Sequence, residues 1–370
     1  MHPGSLSIIL SNIMGGTFLR LVSLLAMTLG LPLLGVTLWG KGVSDYLEFP
    51  PKTVPLESAS FSWAAFALYS LFILALITPL LRHSLKRTDT RLQHRNLKPF
   101  PWWGYMGMIL GGAFWVLAWT RFPWFSLFQP FTFTPLWVSY IVCMNALAFR
   151  RKGRCLLLDH SFRFVGLFPV SAAFWWIFEY LNRFVGNWYY AGVEFGPTEY
   201  FLYASLSFST VLPAFASTRE WVSSFHSLEG FGNFLRLRIS RPDRLAFLVL
   251  LAAATGLFLL GVYPEYLFPL LWISPLLILV SLQALMKETH VFSPLGNGNW
   301  HVVITSAVAA LVCGFFWEMW NYYSLAKWAY RVPLVQHLPL FEMPLLGYAG
   351  YLPFGVECAV VVEMVLGQRK

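Results

Sequence analysis

Two stretches of an apolar chain each carry a carboxylic acid and a carboxamide three residues apart. They are Glu179 with Asn182 in FWWIFEYLNRFVGNWYY (174–190) and Glu318 with Asn321 in GFFWEMWNYYSLAKWAY (314–330). Residues at i and i+3 lie on one face of a helix, so each amide is expected to fix the carboxyl rotamer or to donate to the carboxyl group. An ionisable group inside an apolar helix is a functional candidate by default, and a buried carboxyl group kept neutral is a proton donor. These four residues are therefore candidate catalytic residues.

A Trp-x-Tyr element follows each acid–amide pair. The first copy holds Trp188 and Tyr190, and the second holds Trp328 and Tyr330. Aromatic faces stabilise cations, so we expect these side chains to bind substrate beside the acids. The alternative is structural, because Trp and Tyr gather at membrane interfaces and a Glu near a helix end can extend to the headgroups.

Three further carboxylates are candidates. Glu199 in GPTEYF and Glu342 in LPLFEMPLLGY each follow a proline, where an outer loop re-enters the membrane. Capping of a helix N-terminus explains such a pattern equally well. Glu357 lies deeper in the last apolar run, and Ser217 stands at the aligned place in the first copy. This asymmetry favours the second copy as the working half.

The elements that must position these residues are membrane spans. The chain has 370 residues, of which 57% are hydrophobic and 12% charged, against about 25% charged in soluble proteins. The net charge of +9 does not indicate nucleic acid, because the basic residues lie in short loops between apolar runs. We expect an all-α polytopic membrane protein with about ten spans, listed here by residue number: roughly 15–38, 61–81, 102–120, 134–149, 164–183, 199–217, 244–262, 265–286, 301–323 and 343–366.

Basic residues set the expected orientation. Six Lys or Arg lie in 82–98, four in 150–154 and five in 219–244, and the loops on the other side hold few. The positive-inside rule then places both termini in the cytoplasm, in a plasma (inner) membrane. In 218–238, aromatic and leucine residues near helical spacing suggest either an interfacial segment or an ordinary loop.

The acid–amide and Trp-x-Tyr elements belong to a longer internal repeat. Leu212-Pro213 recurs as Leu352-Pro353 and Pro135 as Pro275, at the same nearly constant offset along the chain. We expect two parallel four-helix repeats with a site between them. The predicted divisions are 1–101 with two N-terminal helices and a basic loop, 102–243 with the first repeat and the interfacial segment, and 244–370 with the second repeat.

The second copy resembles the membrane-integral lycopene cyclase domain. The resemblance rests on KWAY at Trp328 and Tyr330, then LPLFE and YLPFG, and it covers only a short stretch of each copy. It implies protonation of a polyene double bond, cyclisation through a cation and loss of a proton, with Glu342 and, more weakly, Glu199 as the motif acid. The family has two adjacent acids where this chain has Phe341-Glu342-Met343, and its repeat unit is smaller.

The expected function is that of an integral-membrane enzyme that acts on an apolar isoprenoid, a polyene or another lipid by carboxylic acid–base chemistry. No metal or cofactor is expected, because the eight His and four Cys form no ligand spacing. Expected partners are membrane lipids and an apolar small molecule, without nucleic acid, and the oligomeric state stays open. The alternatives are a transporter or lipid carrier with a site between the repeats, and a structural subunit of a membrane complex.

Overall fold

The computed structural model describes residues 3–51, 61–86 and 97–367, and this part of the chain is almost entirely helical. Its eleven helices of twelve residues or more are α1 (Pro3–Leu38), α2 (Trp63–Lys86), α3 (Trp102–Trp119), α4 (Phe133–Lys152), α5 (Ser161–Val185), α6 (Pro197–Phe208), α7 (Val211–Val222), α8 (Pro242–Leu259), α9 (Pro269–Leu285), α10 (His301–Tyr322) and α11 (Tyr351–Leu366). The expected all-α architecture is confirmed.

Eight stretches of the described residues are long and apolar enough to cross a membrane. They are Phe18–Leu38, Trp63–Leu85, Gln129–Lys152, Ser161–Val185, Pro197–Val222, Pro242–Leu259, His301–Tyr322 and Leu345–Leu366. The protein is therefore a multi-pass membrane protein with eight candidate spans, where the sequence predicts ten. The two others are also helices: the mean hydropathy of α3 is lowered by its four Trp and four Gly, and α9 is a shorter apolar helix.

Two short strands join the ends of α5 and α10. Strand β1 (Trp188–Ala191) follows α5, and β2 (Lys327–Tyr330) follows α10. They pair antiparallel, with Trp188 opposite Tyr330, Tyr189 opposite Ala329 and Tyr190 opposite Trp328. A second pair, β3 (Pro339–Leu340) with β4 (Met343–Pro344), forms a tight hairpin before α11.

The helices on either side of β1 and β2 correspond in position along the chain. The starts of α3, α5 and α7 precede those of α8, α10 and α11, respectively, by one constant offset. Trp188 and Tyr190 precede Trp328 and Tyr330 by the same offset. In the pairing of β1 with β2, Tyr189 lies opposite Ala329, which is its own counterpart at that offset. The register is therefore symmetric about that residue pair.

The core joins these two sets of helices. α3 packs against α4, α8 against α9, and α10 against both α7 and α11. One apolar cluster runs through α4, α5, α7, α10 and α11 and includes Trp137, Phe178, Phe215, Trp317 and Phe354. The aromatic residues of the two sets of helices thus share one interior.

Helix α1 packs against α5, α8 and α9, whereas α2 packs against the 3-10 turn Leu345–Gly350. Near the N-terminus of α2, the backbone N–H of Ser62 donates to Leu334 O at 3.1 Å. Near its other end, the ring nitrogen Nε2 of His83 lies 3.1 Å from Gly230 O, and the ring contacts Phe231. None of the residues in the apolar window of α2 is buried.

The segment 218–238, for which the sequence leaves an interfacial segment and an ordinary loop open, is not one continuous helix. Its first residues belong to α7, and a single helical turn, His226–Glu229, and a 3-10 turn, Gly230–Asn233, follow. Phe231 is buried, and its carbonyl accepts the N–H of Trp300 at 2.7 Å. This segment packs on the loop before α10.

Candidate functional site

Glu179 lies on the buried side of α5, with 3% of its surface exposed. Its Oε1 accepts three hydrogen bonds, from Trp175 Nε1 at 3.1 Å, Trp188 Nε1 at 3.0 Å and the Tyr190 hydroxyl at 2.5 Å. Two of these donors belong to β1, so the strand and the carboxyl group fix each other. Glu179 therefore contacts both residues of the Trp-x-Tyr element that follows it.

Glu318 occupies the corresponding place on α10 and is fully buried. Its Oε1 accepts the hydroxyls of Tyr330 and Tyr351, each at 2.7 Å. Trp328 Nε1 donates to the Tyr330 hydroxyl at 2.8 Å rather than to the carboxyl group. The second oxygen, Oε2, is buried and has no hydrogen-bond partner within the described residues.

The two amides hold backbone rather than carboxyl groups. Asn321 Nδ2 donates to Trp328 O at 2.7 Å, and Asn321 Oδ1 accepts the N–H of Trp328 at 2.9 Å. Asn182 does the same for Trp188, at 2.8 and 3.3 Å. The expected contact of the amide with the carboxyl group is absent from the described hydrogen bonds. The reason is that each strand turns back over its helix and brings unpaired backbone groups within reach of the amide.

The Trp and Tyr side chains of β1 and β2 share one face of the strand pair. Side chains two residues apart in a strand point the same way, so Trp188, Tyr190, Trp328 and Tyr330 lie together. Burial, and the neighbouring carboxyl groups, raise the pKa of the Tyr190 and Tyr330 hydroxyls well above the usual value of tyrosine. Both hydroxyls therefore stay protonated as donors at physiological pH.

A cavity of about 920 Å³ lies against this face. Its wall includes all five residues that donate hydrogen bonds to the two carboxyl groups in the described structure: Trp175, Trp188, Tyr190, Tyr330 and Tyr351. Both carboxyl groups lie one hydrogen bond behind the wall. Among the described residues of the wall, Lys327 is the only charged one. The cavity is thus an apolar, aromatic chamber with two acids behind its rings.

Aromatic rings from four helices complete the chamber. Trp272 of α9 lies 5.1 Å from the Trp188 ring, and Trp317 of α10 stacks on Tyr351 at 6.0 Å. Tyr69, Phe72, Ile73, Leu76 and Ile77 of α2 form a further part of the wall. Because α2 has no buried residue in its apolar window, this side of the chamber faces the apolar surroundings.

Glu342 and Glu199 lie outside this constellation. Lys327 Nζ forms an ion pair with Glu342 Oε1 at 2.5 Å, in the turn between β3 and β4. Glu199 is exposed, and its Oε2 accepts the N–H of Gly196 at 3.4 Å at the start of α6. The capping alternative weighed for Glu199 therefore matches its surroundings.

Glu357 is buried within α11, and its Oε2 has no hydrogen-bond partner in the described part of the chain. It is absent from the cavity wall. Ser217, its counterpart in the first copy, accepts a hydrogen bond from Asn145 Nδ2 at 2.8 Å. The structure thus shows a polar contact at Ser217 and a buried carboxyl oxygen without a described partner at Glu357.

Two important residues escape the sequence argument. Tyr351 donates to Glu318 and stands directly before the repeated Leu352-Pro353, where the first copy has Val211 before its own Leu-Pro. Gly314 makes room for it: a Cβ at Gly314 would lie 2.5 Å from the Tyr351 ring. In the sequence, Tyr351 and Gly314 stand out only because the two copies differ at these positions. An argument based on residues that recur in both copies does not identify them.

Within the described residues, no three His, Cys, Asp or Glu side chains come together as a metal site would require. No protein-family model matches the chain, and comparisons with curated proteins and with solved structures found no match.

Proposed function

We propose that the chain is an integral-membrane enzyme that acts on an apolar isoprenoid, a polyene or another lipid by carboxylic acid–base chemistry. The observation that supports this proposal most directly is the arrangement of Glu179 and Glu318. Each is buried, and each binds hydroxyl or indole donors whose rings line the same apolar chamber. A chamber of about 920 Å³ is within the usual range for sites that enclose a small ligand.

We further propose that the chain contains two homologous halves after two N-terminal helices. The matching helix starts and the symmetric register of β1 with β2 support a two-fold relation whose axis passes near Tyr189 and Ala329. An even number of spans per half, as the sequence predicts, makes the repeats parallel. The chamber then lies between the halves. The proposed membrane is the plasma (inner) membrane, with both termini cytoplasmic.

The proposed chemistry is proton transfer to and from an apolar chain. A neutral carboxylic acid delivers a proton to a double bond, and the resulting cation is held among electron-rich ring faces. Trp188, Trp272 and Trp328 offer such faces in the chamber wall. Loss of a proton from another carbon to a carboxylate completes an isomerisation or cyclisation without redox change. The resemblance to the lycopene cyclase domain points to the same reaction class.

The experiment compares lipid extracts by mass spectrometry. Host cells lacking the protein are compared with cells expressing wild type, Glu318→Gln, or the control Glu194→Gln at an exposed position, at matched membrane levels. The proposal predicts a lipid that changes with wild type and with the control but not with Glu318→Gln. A Glu318→Gln variant as active as wild type contradicts it.

A lipid carrier is the second candidate, favoured by the chamber between the halves and by its apolar side along α2. A carrier would redistribute lipids between leaflets without changing their masses. The same extracts separate the two functions, because an enzyme changes the mass or the chromatographic retention of its substrate. A structural subunit would do neither and would co-purify with stoichiometric partners.

A further inference from the structure

The two carboxyl sites differ in a coordinated way, and the difference assigns them separate tasks. When Glu179 is aligned with Glu318, Trp175 corresponds to Gly314. When the two Leu-Pro elements are aligned, Val211 corresponds to Tyr351. The first half thus has a large residue on α5 and a small one on α7. The second half has the reverse on α10 and α11.

This reversal of large and small residues keeps one hydrogen bond to each acid but changes the donor group. Trp175 donates an indole N–H to Glu179, whereas Tyr351 fills the space above Gly314 and donates a phenol O–H to Glu318. An indole N–H is a donor only, but a hydroxyl donates and accepts and can pass a proton on. Glu318 therefore contacts two hydroxyls that can relay protons, and Glu179 contacts two indoles and one hydroxyl.

The charges around the two acids differ in the same sense. Arg183 lies four residues after Glu179 on α5, on the same helical face, and attracts it electrostatically. Tyr322 stands at the corresponding place in the second half. Glu179 Oε1 accepts three hydrogen bonds, a setting that suits a carboxylate. Glu318 Oε1 accepts two, and its Oε2 is fully buried without a partner among the described residues. A buried carboxyl group without a cation or a full set of donors is far less costly as the neutral acid.

We propose that Glu318 and Tyr351 are the proton-transfer pair and that Glu179 is a fixed carboxylate that stabilises positive charge in the chamber. This inference rests on the proposed function and adds Tyr351 as a catalytic residue whose ring reaches the chamber. For the transfer, the Tyr351 hydroxyl turns from Glu318 to the substrate, and its oxygen accepts a hydrogen bond from the protonated Oε1 of Glu318. The Tyr351 O–H bond then breaks as its proton adds to one carbon of a substrate double bond, and the Glu318 proton moves to the Tyr351 oxygen. The products are a carbocation and a Glu318 carboxylate. Loss of a different C–H proton from the cation, returned through Tyr351, restores Glu318 and leaves a new double bond.

The test uses reciprocal exchanges that keep the side-chain volumes of each half similar. Gly314→Trp with Tyr351→Val gives the second half the residues of the first, and Trp175→Gly with Val211→Tyr does the opposite in the first half. Membranes carrying full-length protein are incubated in D2O buffer with the lipid extract of cells that lack the protein. Product and its deuterium content are measured by mass spectrometry. Thermal unfolding in detergent and matched protein levels report folding.

We expect the second-half exchange to lower the initial rate of deuterated product at least 100-fold and the first-half exchange to lower it less than about 10-fold, in line with the contribution of a general acid. Tyr351→Phe and Trp175→Phe, each a conservative loss of one donor, should rank in the same order even where an exchange fails to fold. With an active wild type, equal losses in the two halves, or deuterated product from Tyr351→Phe at the wild-type rate, overturn the assignment alone. An inactive wild type that forms no product overturns the proposed function and this inference together.

Discussion

Trp188 lies directly opposite Tyr330 in the strand pair, yet the two side chains bind different carboxyl groups, Glu179 and Glu318. Opposite residues in an antiparallel pair have Cβ atoms about 5 Å apart. The two acid sites are therefore neighbours across one strand pair rather than separate sites in two halves. A change in one strand is expected to reach both.

Replacement of Ala329 by proline tests that coupling. Ala329 pairs with Tyr189 at the centre of the strands, and proline has no N–H to donate across them. We expect Ala329→Pro to lower the free energy of unfolding by about 1–3 kcal/mol, since it leaves a strand carbonyl without its donor, and to abolish product formation. Thermal unfolding in detergent and the lipid assay measure the two effects. Ala329→Val, which keeps the N–H, is the control, and a fully active proline variant would contradict the coupling.

Replacement of Asn321 should first destabilise strand β2, and any loss of activity should follow from that destabilisation. Its amide makes two hydrogen bonds to the Trp328 backbone, and Asn321→Ala leaves those backbone groups without a partner. We expect a destabilisation of about 1–3 kcal/mol, seen as a lower unfolding temperature, together with lower activity. Asn233→Ala, at an exposed position, should change neither. An inactive Asn321→Ala variant with unchanged stability would instead support the direct catalytic role that the sequence suggests for this residue.

Gly314→Ala should displace the Tyr351 ring, because the added Cβ would lie 2.5 Å from it. We expect a rate loss of about 10–100-fold, since small misplacements of a reacting group have effects of this size. Gly112→Ala places a Cβ where nothing lies within 4 Å and should leave the rate unchanged. Initial rates of product formation give the comparison, and equal rates for both variants would show that the ring adjusts without consequence.

The Glu342→Gln variant tests which acid is catalytic, because the geometry favours Glu318 whereas the cyclase resemblance implies Glu342. Glu342 is paired with Lys327 at a partly exposed place, where an ion pair contributes up to about 1 kcal/mol. We expect activity within about 3-fold of wild type and a small loss of stability. Matched lipid assays of Glu342→Gln and Glu318→Gln decide the matter. Complete loss in Glu342→Gln would favour Glu342 as the motif acid that the resemblance implies.

The membrane class and the helical architecture are readable from the sequence, because apolar length and hydropathy report directly on spans. The sequence also marks each Glu and the Trp-x-Tyr element that follows it as candidate site residues, since both recur at a nearly constant offset; it does not show that they are hydrogen-bonded. The span count was harder. Tryptophan and glycine lower the hydropathy of α3, and α9 is short, so neither helix meets the criteria that the other eight stretches satisfy.

The partners of the amides and the role of Tyr351 could not be read from the sequence. An i, i+3 spacing shows that Asn182 and Asn321 share a face with the acids, but the position of the returning strand depends on tertiary structure. Tyr351 lies far from Glu318 along the chain, on the next long helix. The contact of Tyr351 with Glu318 depends on the close approach of α10 and α11 at Gly314, and no local sequence pattern predicts this approach.

The pairing of β1 with β2 also limits how the molecule can move. Backbone hydrogen bonds tie the end of α5 to the end of α10, so separation of the halves on that side would break several of them at once. Movement of α5 relative to α10 is therefore smallest at the strands, and a gap between them would open on the side away from the strands. For the proposed enzyme, this tie would let an apolar chain enter and leave past α2 while the two acids keep a constant separation.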